Sequence, residues 1–418
     1  MAKKIKAGTV LVCCVEGRRR ERLLVVGGGM ASLKLVEELV ELSPGRYEIV
    51  LAAKERHRPY NRVLLSSLLA GEAQAPEIEL RPASWFAEKG ITLLAGVEVS
   101  ALRPARQEAV LASGGRYRYD RLVLATGSQA IRLPVPGHRL PGVLTFRDLD
   151  DVAVLQRTGL TSRAVVIGGG LLGVEAACGL AKRGVAVTLL HLMPRLMERQ
   201  LDARSAALLK AAVEAKGIEV LLEAQTAAIE GDGRAERVVL QDGRAFPAGL
   251  VVMAAGIRPE TALAETGGLK IGRGIKVDDK LETSWPGVYA IGECAEHRGR
   301  CYGVVEPVYE QARVLARHLA GMPARYEGSL AAASLKVSGV PVFSMGDFEG
   351  ACADTILLED EGAPTYRKLV IRDDRLVGVV LFGDTADSLW YRDLVRLAAP
   401  IAPLRAALAF GKAHAEAA

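Results

Sequence analysis

The stretch Arg22-Leu-Leu-Val-Val-Gly27-Gly28-Gly29-Met30-Ala31-Ser32 constrains the fold more than any other part of the chain. Its apolar residues read as a buried strand, its glycines as a sharp turn, and residues 33–42 as an amphipathic helix. Only glycine permits such a turn together with close backbone approach to a pyrophosphate, whose charge then rests on the helix N-terminus. The spacing is G-x-G-x-x-[GA], with Ser32 in the third small position, where it still permits close helix–strand contact. A glycine-rich helix start that binds nothing is the plain alternative. A second copy weighs against it. Arg163-Ala-Val-Val-Ile-Gly168-Gly169-Gly170-Leu171-Leu172-Gly173-Val174-Glu175 repeats the design with Gly168, Gly170 and Gly173 all in place. Two such loops in one chain predict two dinucleotide sites.

At 418 residues the chain has room for two or three domains and a large core. Hydrophobic residues make up 50% of it and charged residues 25%, the balance of a soluble globular enzyme. The net charge of +5 carries no long basic run, which argues against nucleic-acid binding. Arg18, Arg19, Arg20 and Arg22 read as a solvated approach to the first strand. No stretch reaches the roughly 18 apolar residues of a membrane span. Lys3, Lys4 and Lys6 ahead of residues 9–15 faintly imitate a secretion signal, but the apolar part is short and lacks an A-x-A site. A cytoplasmic protein with a short extension is therefore expected. The cysteines are Cys13, Cys14, Cys178, Cys294, Cys301 and Cys352. They form no C-x-x-C and no iron–sulfur or zinc spacing, so reduced thiols and no metal centre are expected.

Along the chain, Tyr47–Ala53 reads as the second strand of the first nucleotide unit. An acid at its end would bond the adenosine ribose, and Glu55 can do so, with Lys54 beside it. In Arg58-Pro59-Tyr60-Asn61-Arg62-Val63-Leu64-Leu65-Ser66-Ser67, Arg62 lies among apolar residues, which suits a phosphate contact; a solvated arginine on an amphipathic turn is the alternative. Residues 91–102 and 108–111 alternate like antiparallel strands of a small covering sheet, with Gly114-Gly115 as a hairpin turn. Ala125-Thr126-Gly127 ends another strand, and its small residues would let the backbone lie against a bound dinucleotide. Pro134, Pro136 and Pro141 mark an extended linker. In the second unit, the strand 186–190 ends in His191, where an NAD site normally places an acid. Arg195 stands near enough to meet a phosphate; a solvent-exposed arginine is the equal alternative. Glu175 reads as the start of a helix whose dipole it complements. Residues 251–259 form a further strand with Gly256 after it. Ala290-Ile291-Gly292-Glu293 is a strand, a glycine and an acid able to hold the hydroxyls of a ribityl chain. A helix over 308–319 follows. Strands over 335–342, 368–371 and 377–382 and a helix over 389–397 predict a third, α+β domain of the kind that covers a flavin or forms a homodimer.

In this order, the two glycine loops, Ala125-Thr126-Gly127, Ala254-Ala255-Gly256 and Ala290-Ile291-Gly292-Glu293 resemble the two-dinucleotide-domain flavoprotein reductases, across the whole chain. Tyr60-Asn61-Arg62 through Ser67, the Met-Pro-Arg-Leu-Met-Glu-Arg-Gln-Leu-Asp run from Met193 to Asp202, residues 290–295 and 334–347 are most similar to the flavin module of bacterial NAD(P)H-dependent nitrite reductase. The electron-transfer subunits of assimilatory nitrate reductases are similar, with rubredoxin and ferredoxin reductases next. The resemblance implies that Gly27, Gly29 and Ser32 hold the FAD pyrophosphate and that Arg62 contacts its phosphates. Val99 matches the strand whose backbone meets the adenine, and Thr126 and Gly127 line the flavin dinucleotide. Glu293, where relatives usually have aspartate, would reach the ribityl chain. Gly168, Gly170, Gly173 and Glu175 would bind the nicotinamide nucleotide. Rubredoxin-reductase relatives place a lysine near the flavin where this chain has Ser67.

The departures exclude other readings. Disulfide reductases carry a cysteine pair, and peroxidase and oxidase relatives one redox cysteine, in a region where residues 57–69 hold none. The iron–sulfur and sirohaem domains of a whole nitrite reductase are not in this sequence. The expected fold is α/β, with two Rossmann-like dinucleotide-binding domains for FAD and NAD(P)H and a small C-terminal α+β domain. Its parts are 1–143 and 269–324 for FAD, 144–268 for NAD(P)H and 325–418 for the interface. The expected activity is NAD(P)H oxidation through FAD, with electrons passed to an iron–sulfur or haem redox protein. That partner is a nitrite or nitrate reductase component or a rubredoxin-like carrier. A self-contained oxidase or quinone reductase and a non-enzymatic FAD-binding protein are the competing readings.

Overall fold

The computed structural model describes residues 20–158, 163–335, 339–360 and 362–415. The signal-like stretch 9–15, Arg18, Arg19, Cys13 and Cys14 lie outside the described residues. Glu21–Val26 is buried over its last four positions and pairs in parallel with Tyr47–Ala53 on one side and Arg121–Leu124 on the other. Burial on both faces explains why it reads as an unbroken apolar run. The whole first sheet is parallel, in the order Val288–Ala290, Arg121–Leu124, Glu21–Val26, Tyr47–Ala53, Ile91–Ala95. The helices Met30–Leu42 and Val305–Leu319 pack together on one face of it. The antiparallel sheet Val99–Arg103, Glu108–Leu111, Arg116–Arg118 covers the other.

One expectation is corrected here. Residues 91–102 are not a single covering strand: Ile91–Ala95 belongs to the main sheet, and only Val99–Arg103 to the covering one. Gly96, with φ of +76°, breaks the run, while the Gly96 and Val97 N–H groups donate to Glu55 O and Ala53 O. Ile91–Ala95 is an edge strand with a half-exposed face, so it alternates as a covering strand does.

The second unit repeats the plan: Glu219–Leu221, Val187–Leu190, Ala164–Ile167, Leu250–Met253 and Val143–Thr145 form a second parallel sheet. Thr226–Glu230, Arg237–Leu240 and Ala245–Pro247 cover one face of it. The chain crosses between the units twice, and the crossings Ser128–Ala130 and Ile257–Pro259 pair with each other in antiparallel fashion.

The C-terminal sheet is antiparallel, in the order Ala332–Leu335, Val342–Gly346, Arg375–Phe382, Thr365–Arg372, Asp354–Asp360. The strand expected over 335–342 is two separate strands. Asp354–Asp360 was not expected at all, because it is an edge strand exposed along most of its length and shows no apolar face. The helix Ser388–Leu397 covers one side of this sheet. On the other side Leu335, Val342, Tyr366, Val380 and Phe382 join the same core as Leu65, Leu68 and Leu69 of the first unit and Val174 and Ala177 of the second. The third domain therefore rests on the junction of both nucleotide units.

Gly27 has a φ of +123°, and a Cβ on it would stand 2.0 Å from Ala125 O, whereas a Cβ on Gly29 would meet no atom within 4 Å. Gly27→Ala should therefore destabilise the chain by on the order of 3 kcal/mol, and Gly29→Ala by far less, as measured by chemical denaturation. Equal losses at both positions would remove the close-approach argument.

Candidate functional site

In the first cleft the protein itself demands two of the glycines. Beyond the Gly27 contact, a Cβ on Gly28 would stand 2.5 Å from Ala53 Cβ. Gly29 is the extended N-cap of Met30–Leu42, and no side chain caps that helix. Its amides and its missing side chain leave an open seat for an anion. Ser32 is buried, and its Oγ donates to Gly29 O at 2.8 Å, so the hydroxyl is spent on the loop itself.

Glu55 and Arg62, expected at the ribose and the phosphates, are brought together. Glu55 accepts the Tyr60 hydroxyl at 2.8 Å and pairs with Arg62. Arg62 donates through Nη1 to Arg147 O at 3.1 Å, and its guanidinium stands 4.9 Å over the Tyr60 ring. Thr126 Oγ1 donates to Glu260 O at 2.9 Å, and the Glu260 N–H donates to Gly127 O. The Ala125-Thr126-Gly127 turn is thus bound to the returning crossing. Gly292 is held by its N–H donating to Gln311 Oε1 at 2.7 Å. Glu293 beside it accepts Ser128 Oγ at 2.7 Å through Oε2 and pairs there with Arg147. Its Oε1 has no hydrogen-bond partner among the described residues. Val99 has its side chain buried in the core under the covering sheet, in the same cluster as Val26, Ala52 and Leu124, so only its backbone is available to a ligand.

These groups fit FAD: an uncapped helix start for the pyrophosphate, a guanidinium for its phosphates, and a carboxylate oxygen free to accept ribityl hydroxyls.

The second cleft repeats the same contacts. A Cβ on Gly168, whose φ is +121°, would stand 2.3 Å from Ala254 O, and one on Gly173 would stand 1.7 Å from Gly168 O. Gly170 again is the uncapped N-cap, of Leu171–Lys182, and again faces open space. A Cβ on Gly169 would meet Leu196 and His191. His191 is buried with both ring nitrogens engaged: Nδ1 accepts the Gly169 N–H at 2.9 Å, and Nε2 donates to Glu198 Oε2 at 3.1 Å. That tautomer follows from the backbone donor. Gly256 sits at the crossing, its carbonyl accepting the Ile131 N–H. Arg195 is paired with Glu349 of the C-terminal domain.

Glu175 is not at the helix start. It is the fifth residue of Leu171–Lys182, buried where that helix meets Leu65–Leu69, and it takes a hydrogen bond from Ser66. Burial pushes its carboxyl up from 4.5 to about 7, against the Ser66 contact, which lowers it. Sequence reasoning also missed Arg147, Gln311 and Glu198. Arg147 had one signal, as the single cation in the acidic run Arg147-Asp148-Leu149-Asp150-Asp151, and Glu198 lay in the run from Met193 to Asp202 that carries the resemblance; Gln311 had none.

A side chain at either open glycine occupies only the seat. Gly29→Val should fold and fail to retain FAD, and Gly170→Val should retain FAD while its reduction by NAD(P)H falls by at least 100-fold, read from flavin absorbance. The opposite pattern would exchange the two clefts. For Glu175, the native state holds a proton between pH 4.5 and about 7 that the unfolded chain releases. The stability this confers is complete below the unfolded value and is lost as pH rises through about 7. Glu175→Gln should match the native protein near pH 5 and exceed it toward pH 8 by on the order of 3 kcal/mol at equal cofactor loading. A gap that does not change with pH would show that Glu175 is not buried as described.

The profile of the pyridine nucleotide-disulphide oxidoreductase family matches residues 21–317, and that of the rubredoxin NAD+ reductase C-terminal domain matches residues 332–398. The assimilatory nitrate reductase electron transfer subunit of Bacillus subtilis is 42% identical over 88% of this chain and 48% of its own length. The NAD(P)H nitrite reductase of the same organism is 44% identical over 88% and 46%. The chain thus spans about half the length of these curated relatives. The crystal structure of a ferredoxin reductase from Rhodopseudomonas palustris superposes with a TM-score of 0.84 at 28% identity, covering 90% of this chain and 95% of that one. With both clefts built as described, the chain belongs to the pyridine nucleotide-disulphide oxidoreductase family, as an FAD-dependent NAD(P)H oxidoreductase.

Proposed function

We propose that this chain oxidises NAD(P)H at the Gly168–Gly170–Gly173 cleft and passes the electrons, by way of FAD in the Gly27–Gly29 cleft, to a redox protein in nitrite or nitrate reduction. The observation that carries the reading is the pair of open, uncapped glycine clefts joined at one crossing, where Thr126, Gly127, Glu260 and Glu293 meet. Bound FAD takes up a hydride as two electrons and gives them out one at a time, which is the chemistry it supplies here. The chain's own residues bind and orient. Gly29 and the first turn of its helix seat the pyrophosphate, Arg62 reaches the phosphates, and Glu293 Oε1 accepts ribityl hydroxyls. Gly170 seats the second pyrophosphate, and Glu175 lies buried beside it at the contact between the two units.

The division into 1–143 with 269–324, 144–268 and 325–418 assigns one task to each part: holding FAD, binding the hydride donor and docking the acceptor. Cysteine usage supports a cytoplasmic setting. Residues 57–69 offer no thiol to relay electrons, so they leave from the flavin itself, and the reading takes an iron–sulfur or haem protein as the acceptor. The likeness of residues 332–398 to a rubredoxin reductase domain supports a rubredoxin-like or ferredoxin-like carrier as the second reading.

Flavin-loaded protein given NADH should reduce ferricyanide rapidly and leave nitrite and nitrate untouched until an iron–sulfur or haem partner is added. Steady nitrite or nitrate loss with this chain alone would overturn the reading.

A further inference from the structure

The strand that ends at His191 brings no carboxylate to the place where the adenosine ribose of a bound nucleotide lies. The two residues after it, Leu192 and Met193, are exposed apolar side chains. A carboxylate arrives by another route. The 193–201 loop folds back onto the second glycine loop: the Met197 N–H donates to Gly169 O at 2.9 Å, and Leu196 lies where a Cβ on Gly169 would be. Met197 adopts the left-handed conformation, with φ of +50°, and directs the chain into Glu198. Glu198 Oε2 then accepts the His191 Nε2 proton at 3.1 Å, while His191 Nδ1 is held by the Gly169 N–H. The carboxylate is thus tied through one imidazole to the backbone of the glycine loop, and its side chain remains 24% exposed.

The cations nearby do not offset it. Arg195 is paired with Glu349 of the C-terminal domain and donates to the Glu198 backbone carbonyl at 3.5 Å, not to its carboxylate. Arg199 stands 3.8 Å from Glu198 Oε1 and is 83% exposed, so solvent screens it.

We propose that Glu198 selects the nucleotide at this cleft: it accepts the free ribose hydroxyls of NADH and repels the 2′-phosphate of NADPH, with His191 as its positioning residue. The loop does here what a carboxylate at the strand end does in an ordinary NAD site. Glu349 adds to the selection by neutralising Arg195, a cation on the same loop. This rests on the assignment of the second cleft to NAD(P)H.

The test is binding without turnover. ADP-ribose and 2′-phospho-ADP-ribose are titrated by calorimetry into the flavin-loaded chain. The native protein should bind ADP-ribose at least 10-fold more tightly, the scale of one hydrogen bond to a charged group. Glu198→Gln should cut that ratio about 10-fold, and Glu349→Gln should tighten binding of 2′-phospho-ADP-ribose alone. His191→Ala should move the ratio in the direction of Glu198→Gln, and the double variant no further, which a merely structural histidine would not produce. Equal binding of both ligands by the native protein, or a ratio unmoved by Glu198→Gln, overturns the proposal while leaving the cleft assigned. Binding of neither ligand, together with no flavin reduction by NADH, overturns the cleft assignment and the proposal with it.

Discussion

A carbonyl oxygen placed where a side chain would begin is the constraint on which the rest of this structure depends. Ala125 O occupies that place at Gly27, and Ala254 O at Gly168. Each contact joins a glycine turn to the strand on one side, while the following glycine is pressed against the end of the strand on the other, Ala53 or His191. The turn is therefore clamped from both flanks, and the helix that leaves it starts in one position with its first amides bare. Order in the sheet and readiness of the anion seat are consequences of one packing event, made twice.

The third domain rests on both nucleotide units, and a buried carboxylate fixes it to the second. Asp202, at the N-cap of Ala203–Glu214, is buried between the second unit and the C-terminal sheet. It accepts Tyr366 Oη at 2.7 Å, the Ser205 N–H at 3.0 Å and its Oγ at 2.5 Å, and pairs with Lys368 at 3.1 Å. A buried carboxylate with one cation is a poor source of stability. Here burial alone would raise its pKa, yet the hydrogen bonds outweigh burial and hold it below the usual carboxylate range. So satisfied an anion tolerates little displacement, and it fixes the register of the third domain on the second. Hydride transfer needs reacting atoms held within roughly 3–3.5 Å, so a rigid seating of one unit against the other serves the chemistry directly.

What could be read in the sequence was whatever the backbone decides locally. Glycine spacing located both turns, and the apolar run Glu21–Val26 located the central strand, because those demands fall within a few residues; the helices begin sooner after the glycines than read, at Met30 and Leu171. Long-range partners could not be read. His191 looked like a ligand position at a strand end, and only the fold shows its imidazole turned under Gly169 with Glu198 beyond it. Arg195 looked free until Glu349, from a different domain, was beside it. Glu175 looked like a dipole partner because counting from the glycines cannot reveal that Ser66 and the helix Leu65–Leu69 cover it. Edge strands misled for a related reason: half-exposed Ile91–Ala95 imitates a covering strand, and Asp354–Asp360 shows no pattern at all.

The charged pairs of the first cleft show how a site can be shaped before its ligand arrives without being filled by its own side chains. Arg62 spends Nη2 on Glu55 and Nη1 on Arg147 O, which leaves Nε without a protein hydrogen bond among the described residues. A guanidinium has five donors in a fixed plane, so it can take a phosphate oxygen without releasing its carboxylate. Glu293 is arranged in the same way from the acid side. Its Oε2 is committed to Ser128 and Arg147, while Oε1 has no hydrogen-bond partner among the described residues. Each pair thus neutralises a charge that the cleft would otherwise have to desolvate alone, and each keeps one functional atom in reserve. A lysine in place of either arginine could hold its carboxylate as a point charge but could not fix the plane that aims the remaining donor. The geometry of the fork, more than its charge, is what prepares this cleft for a dinucleotide.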